Sequence, residues 1–343
     1  MDGVLNYPMY YRLTGTFNNT NADMSYLLEG LEEVKVKCRV CHIRSPYMNF
    51  MRRSVANSRC AQDIFTLGTF TENQDVPRFA SQTQDLSLAR NIITYNLLGD
   101  GIPIRTWFSS FLSLFLIYGG IVLAHSINQG SSTVYYGQEL HLQGPYNPLN
   151  RGALWLTGYA NDTTSLPSLV QSLNRLRAHA AGNGTRFTES SSSPQQHDYL
   201  TYVSYPIHNT SHTVAFRKGY PGNQVITVLS NLGSRPSSND PETSFTLPAA
   251  GTGFHPHQNV TEILSCRSVL TDGAGNLNVN LADDGGPRVY YPTNSLNGSV
   301  LCGHELKAKS SASSMIFAAS HGSLLTTVFT MLLFLTTEMM TLL

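Results

Sequence analysis

The hydrophobic pattern of this chain changes period at a Gly/Ser/Gln-rich stretch, Ala181–His197. Ahead of it, residues 63–104 and 134–180 read as alternating strands and helices. Leu67-Gly-Thr-Phe is a short buried-strand candidate, Leu86–Leu98 a helix, and Gly101-Ile-Pro-Ile the start of another strand. Ser165–Ala180 is amphipathic, with Leu166, Leu169, Val170, Leu173 and Leu176 on one face, Ser165 as N-cap, and Pro167 early enough to be tolerated. Behind the stretch, short β-rich runs follow one another: Leu200–Tyr205, Thr213–Arg217, Gln224–Ser230, Ser244–Leu247, Val260–Leu264, Leu277–Leu281 and Arg288–Tyr291. Gly, Pro, Asn and Asp separate them at short intervals, which predicts an antiparallel sandwich or barrel. The fold class expected is therefore α/β followed by all-β.

Composition narrows the function classes. Lys+Arg and Asp+Glu are both 22, so the net charge is zero; no basic field points to nucleic acid and no acidic block to disorder. Charged residues make up only 13% while Ser, Thr, Asn and Gly are frequent, a balance that suits a secreted glycan-handling protein. Six Asn-x-Ser/Thr sequons, at Asn18, Asn161, Asn183, Asn209, Asn259 and Asn297, point the same way and predict surface glycosylation. Met1-Asp-Gly-Val-Leu-Asn-Tyr-Pro has neither a basic n-region nor an apolar h-region, so no signal peptide is visible on this chain. At the other end, the small polar run Lys307–Ser314 precedes an apolar tail, Leu324–Thr337, interrupted afterwards by Glu338. This resembles a glycosylphosphatidylinositol attachment pattern and predicts membrane association through a lipid anchor; a single C-terminal membrane helix is the alternative.

Three features suggest other chemistry. Cys38-Arg-Val-Cys41-His42 fits the haem-attachment motif C-x-x-C-H, and Cys60 would add a ligand for zinc. Without further ligand context it reads as an accident of the surrounding segment, and no metal site is expected. Trp107–Ala124 is 18 uncharged residues, near the length of a membrane span. The five cysteines (the fourth and fifth are Cys266 and Cys302) cannot all pair within one chain.

The segment Leu67–Ala80, Leu-Gly-Thr-Phe-Thr-Glu-Asn-Gln-Asp-Val-Pro-Arg-Phe-Ala, places Asp75 just past a short apolar run, beside polar side chains able to bind hydroxyls. It resembles a signature of the α-amylase family, glycoside hydrolase family 13. Other segments resemble the same family in order: Met1–Tyr10, Gly99-Asp-Gly-Ile-Pro, Tyr135-Tyr-Gly-Gln-Glu, and Pro145–Leu156 with Asn150, Arg151 and Trp155. Arg217-Lys-Gly, Thr227-Val-Leu-Ser-Asn and Arg288-Val-Tyr-Tyr-Pro-Thr are similar to its C-terminal β-domain. The likeness is closest to fungal secreted members.

The resemblance implies the C-terminal part of a (β/α)8 barrel, about strands six to eight, over residues 1–184, a β-sandwich over 185–303, and a Ser-rich linker with an apolar tail over 304–343. A partial barrel leaves open sheet edges, an aggregation hazard. Val40–Gln62 and Arg105–Thr133 have no counterpart in the family pattern, and removing them restores its spacing. We read both as intron sequence translated through a misdrawn gene structure; both segments found in mature message would exclude this.

In this family a retaining mechanism needs two carboxyl groups about 5–5.5 Å apart. The resemblance places nucleophile and acid, and the family's calcium site, upstream of residue 1, so no cofactor is expected in this chain. It implies that Asp75 is the third carboxylate, which stabilises the transition state, with Gln74, Asn147 and Arg151 as substrate contacts. Glu72 is expected to be structural, and His141 a subsite or loop residue rather than a base. Cys266 and Cys302 resemble the family's β-domain disulfide, and Cys38 a family cysteine whose partner lies upstream.

Gln74 stands where the family usually has His, and Asn147 where secreted relatives often have Asp. The first change resembles the anchored subgroup that transfers α-1,4-glucan segments. The expectation is a monomeric cell-surface protein acting on α-1,4-glucan by retaining hydrolysis or 4-α-glucanosyl transfer, with this chain alone inactive. The alternative is a non-catalytic remnant or glycan-binding β-domain.

Overall fold

Three short parallel strands, β1 (Val4–Leu5), β2 (Leu67–Thr69) and β3 (Ile102–Pro103), lie in the order β1-β2-β3. Val4 pairs with Leu67 and Gly68 with Ile102. The computed structural model describes residues 4–42, 64–103, 134–158, 165–183, 199–237 and 240–304. The apolar segment Trp107–Ala124, the insert 105–133, most of the insert 40–62 with Cys60, the sequon at Asn161 and the C-terminal tail lie outside them. Of Cys38, Cys41 and His42 only the backbone is described.

Helices connect the parallel strands, as such strands require. Helix α1 (Tyr7–Phe17) and α2 (Ser25–His42) separate β1 from β2, and α3 (Leu86–Leu98) separates β2 from β3. Asn6 caps α1 by accepting from the Met9 N–H, and Pro8 occupies the first turn, where its missing N–H costs nothing. Met9, Leu13 and Phe17 then fall on one buried face. Asp85 caps α3 through the Ser87 and Leu88 N–H groups; against the opposing effect of burial, hydrogen bonds from the Ser234 hydroxyl and N–H, and then from these two capping groups, hold its carboxyl below the usual range.

Helix α4 (Leu166–Asn183) follows the expected periodicity, and Leu166, Leu169, Leu173 and Leu176 are buried. Ser165 precedes it with φ 55°, and its carbonyl accepts from Leu169 N–H and the Ser168 hydroxyl. Arg177 of α4 is buried and donates to the carbonyls of Leu97 and Gly101, which ties α4 to the start of β3.

The β-domain is built from eight strands: β4 (Tyr205–Asn209), β5 (Thr213–Lys218), β6 (Val225–Ser230), β7 (Ser244–Leu247), β8 (Asn259–Glu262), β9 (Arg267–Leu270), β10 (Leu277–Asn280) and β11 (Arg288–Pro292). Six of them form an antiparallel sheet in the order β4-β5-β6-β11-β8-β9, which faces a two-stranded one, β10-β7. One expectation is corrected. Leu200–Tyr205 is not a strand: Tyr199–Thr201 turns, with Tyr199 fully buried, and pairing begins at Tyr205. Tyr202 N–H bonds back to the Tyr199 carbonyl, so the local hydrogen bond closes a turn.

Strands β5 and β6 are buried along their whole length. The period of two divides their side chains between two cores. Val214, Phe216, Val225 and Leu229 pack with the helices α1 to α4; Ala215, Ile226 and Val228 pack with Leu247, Leu277 and Val279 of the small sheet.

Polar groups reinforce this junction. Lys218 Nζ lies 2.6 Å from Asp100 Oδ1, both side chains almost fully buried, and Asp100 also accepts from Ser204 N–H and Oγ–H. Asn91 of α3 donates to the Gly285 carbonyl and accepts from Ser230 N–H. The described residues between 4 and 304 accordingly form one compact unit. Cys266 and Cys302 are joined by a disulfide.

Candidate active site

The loop leaving β2 stands at the carboxyl end of the parallel strands, the end where such folds carry their sites. Phe70 anchors it, stacked on Tyr10 at 5.3 Å between ring centroids and edge-on to Tyr7 at 5.0 Å. Asn73 then turns the chain: its side-chain oxygen accepts from the N–H of Asp75 at 2.8 Å and of Val76 at 3.1 Å. Its amide donates to the Tyr7 hydroxyl. The turn leaves Gln74 and Asp75 exposed between buried neighbours.

Three of the expected site residues meet here. The Asp75 carboxylate, 52% exposed, lies 3.5 Å from the Arg151 guanidinium and accepts from the Gln74 amide at 3.1 Å. An exposed ion pair of this kind contributes little to stability and leaves the carboxylate free to take up other donors. Arg151 also donates to the Gln74 carbonyl. Asn147 is exposed in the same 145–151 segment, but among the described residues it has no hydrogen bond to Gln74 or Asp75.

Two buried side chains hold these segments together. Asn150 is fully buried and its amide donates to the carbonyls of both Gln74 and Val76 at 2.9 Å. Arg78, also fully buried, donates to the Asn150 carbonyl at 2.8 Å, the Tyr136 carbonyl at 2.6 Å and Glu72 at 3.2 Å. Its guanidinium lies over the Tyr135 ring, 3.9 Å from the centroid. Its backbone N–H donates to the Gly144 carbonyl. One cation thus fixes the segments that carry Asp75, Tyr135 and Arg151. Neither Arg78 nor Asn73 was legible as a positioning residue, and Asn150 only as part of a similar segment; a charged side chain is ordinarily read as surface.

Glu72 is not a second reactive carboxylate. One of its oxygens faces Arg78 and the other accepts from Phe79 N–H at 2.8 Å, and the side chain is buried. Burial pushes its pKa up to about 7, against the opposing pull of Arg78 and the Phe79 N–H. Glu139 is likewise raised by burial. His141 sits in a turn with φ 55°, half-buried, its pKa lowered by burial. Among the described residues no group of three His, Cys, Asp or Glu side chains is placed to hold a metal ion.

Comparison with known proteins shows the family of the chain. The family described as α-amylase, domain C matches residues 206–310, the β-domain. Alpha-amylase 1 of Schwanniomyces occidentalis is 32% identical over 302 residues, 88% of this chain and 45% of the relative. Alpha-amylase 1 of Lipomyces kononenkoae is 37% identical over 88% of this chain and 37% of its own length. The solved structure of an α-amylase from Malbranchea cinnamomea superposes with a TM-score of 0.61 at 33% identity, over 88% of this chain and 48% of that one.

The chain belongs to the α-amylase family. It spans about half the length, or less, of the relatives it matches, and corresponds to their C-terminal part. In family terms the three parallel strands belong to the catalytic barrel and the two antiparallel sheets are domain C. An Anoxybacillus α-amylase at 16% identity and a TM-score of 0.53 shares the fold.

Proposed function

We propose that this chain is part of an enzyme that cleaves α-1,4-glucan by a retaining mechanism, to which it contributes the third carboxylate, Asp75, and one wall of the substrate cleft. The observation that carries the reading is the exposed Asp75 carboxylate, presented at the carboxyl end of a parallel strand with Gln74 and Arg151 against it. Such a carboxylate accepts hydrogen bonds from sugar hydroxyls, and it stabilises positive charge as the glycosidic bond breaks. Arg151 and Gln74 supply donors beside it. Glu72 cannot share the chemistry, because its oxygens are committed to Arg78 and Phe79.

Gln74 remains neutral where a histidine could carry charge, and this favours glucan transfer over hydrolysis in our reading. Surface attachment through the C-terminal apolar tail and glycosylation complete the proposal; Asn209, Asn259 and Asn297 are exposed.

The test uses the purified chain. Titration with maltoheptaose, followed by amide chemical shifts, is expected to perturb Gln74–Val76 and Asn150–Arg151, and Asp75→Ala is expected to weaken that binding about tenfold. Soluble starch should yield no reducing sugar with this chain alone. Release of reducing sugar abolished by Asp75→Ala would show that the chain carries a complete site, and absence of any shift at these residues would refute the assignment of the cleft wall.

A further inference from the structure

A second concavity lies well apart in sequence, in the β-domain. It is a cleft of about 360 Å³, within the size range of small-ligand sites. Its walls come from β9 at the edge of the large sheet, β10 of the small sheet, and the loop that follows β10. Arg267 of β9 and Asp283 of that loop both line it, and both are exposed. Neither charged group has an ion-pair or side-chain hydrogen-bond partner among the described residues, so they share a cleft without meeting.

The other charges in the cleft are already matched. Asp284 is bound by Arg90 at 2.7 Å and by Arg288 at 2.9 Å, contacts that offset the effect of its burial and hold its carboxyl below the usual range. Glu262 accepts from the N–H groups of Leu264, Ser265 and Val289. Two neutral amides add to the lining, Asn278 and Asn280. The oxygen of each is bonded, to the Thr246 hydroxyl and the Ala282 N–H, and among the described residues neither NH₂ group has a hydrogen-bond partner.

The unmatched set is therefore one cation, one anion and two neutral donors, with zero net charge. An anion would satisfy Arg267 and be repelled by Asp283. A cation would meet the reverse. A group that donates and accepts at neighbouring atoms satisfies all four, and hydroxyls on adjacent carbons have that property. We propose that this cleft is a second, non-catalytic binding site for a neutral saccharide, with Arg267 and the Asn278 and Asn280 amides donating to its oxygens and Asp283 accepting from its hydroxyls.

The scaffold suits the role. Arg267 directly follows Cys266, whose disulfide to Cys302 tethers the β8–β9 turn, so the guanidinium projects from a covalently fixed edge.

The test follows amide shifts of the whole chain during titration with maltoheptaose, glycine betaine and inorganic phosphate in separate experiments. Maltoheptaose is expected to shift residues 264–270 and 278–283, with Kd raised tenfold or more by Arg267→Ala and by Asp283→Ala alike, and unchanged by Asp75→Ala. Both variants remove exposed, unpaired side chains and are expected to fold as the parent does. Phosphate binding that Arg267→Ala abolishes and Asp283→Ala strengthens would overturn the proposal in favour of an anion site. Betaine binding in place of maltoheptaose would overturn it in favour of a zwitterion site, and no shift with any probe would overturn it outright. Shifts at Gln74–Val76 without shifts here would leave the proposed function standing and refute this second site alone.

Discussion

Replacing Arg78 by methionine is expected to weaken the fold in a pH-dependent way that exposes the role of the buried pair. Arg78 gives hydrogen bonds to two carbonyls, each worth about 1 kcal/mol net, and it neutralises Glu72 inside a fully buried site. Removing one member of a buried pair typically costs about 3–5 kcal/mol. For Glu72 the sign of the pH effect runs opposite to that of most carboxylates. Its folded pKa of about 7 lies above its ordinary 4.5, so the native state holds the proton more tightly than the unfolded one. The protonated group's contribution is fully present below pH 4.5 and is lost as pH climbs through 7, a loss of about 3 kcal/mol.

Without Arg78 the folded pKa rises further, because the guanidinium lowers it in the parent, and the loss continues beyond pH 7. The Arg78→Met defect is therefore expected to be about 2 kcal/mol at pH 5, where only hydrogen bonds are lost, and about 3–5 kcal/mol at pH 8. At pH 8 this corresponds to a fall in Tm of roughly 6–20 °C. Urea unfolding followed by far-ultraviolet circular dichroism, at half-unit pH steps, measures the difference. Glu72→Gln should flatten the parent's own slope between pH 4.5 and 7. A defect for Arg78→Met below about 0.5 kcal/mol, or one that is constant or shrinks from pH 5 to 8, would refute the reasoning.

Two further outcomes are expected. Lys218→Met leaves the Asp100 carboxylate buried with, among the described residues, only Ser204 to bind it, and should cost about 3–5 kcal/mol in urea unfolding; an unchanged midpoint would refute a structural role for this buried pair. Opening the Cys266–Cys302 bridge, by reductant or by replacing both cysteines with serine, should remove about 3–4 kcal/mol given the 36-residue separation. Thermal melts with and without reductant read this directly, and coincident melts would show that the bridge does not constrain the unfolded chain.

Legibility in the sequence followed the strength of the local signal. Helix α4 was readable because five apolar residues repeat at helical spacing, β5, β6 and β11 because β-branched and aromatic residues are frequent in them, and β10 because buried Leu277 and Val279 alternate with exposed Asn278 and Asn280. Strand β9 was not, since Arg267, Ser268 and Leu270 are exposed and its pairing with β8 is what makes it a strand. Helices α1 and α2 were also missed. Tyr, Thr and Gly in Tyr7–Phe17 have weak helical preference, and the segment is helical because Met9, Leu13 and Phe17 find a core. At the site, Asp75, Gln74 and Arg151 could be named through family likeness. The Arg78–Glu72 pair could not, because nothing in a local pattern distinguishes an arginine buried between tyrosines from one in water.

The large sheet works as a party wall. One surface of β5 and β6 closes the core beneath the helices, and the other closes the core beneath the small sheet. Neither dwelling can be vacated without stripping the partition. Excising the β-domain would lay Val214, Phe216, Val225, Leu229 and Tyr291 open to water as one oily plane, and would strand Lys218 without Asp100. A fragment cut at the family boundary near residue 206 would then self-associate through that plane, and swapping such a domain between relatives would transplant half of a core along with it.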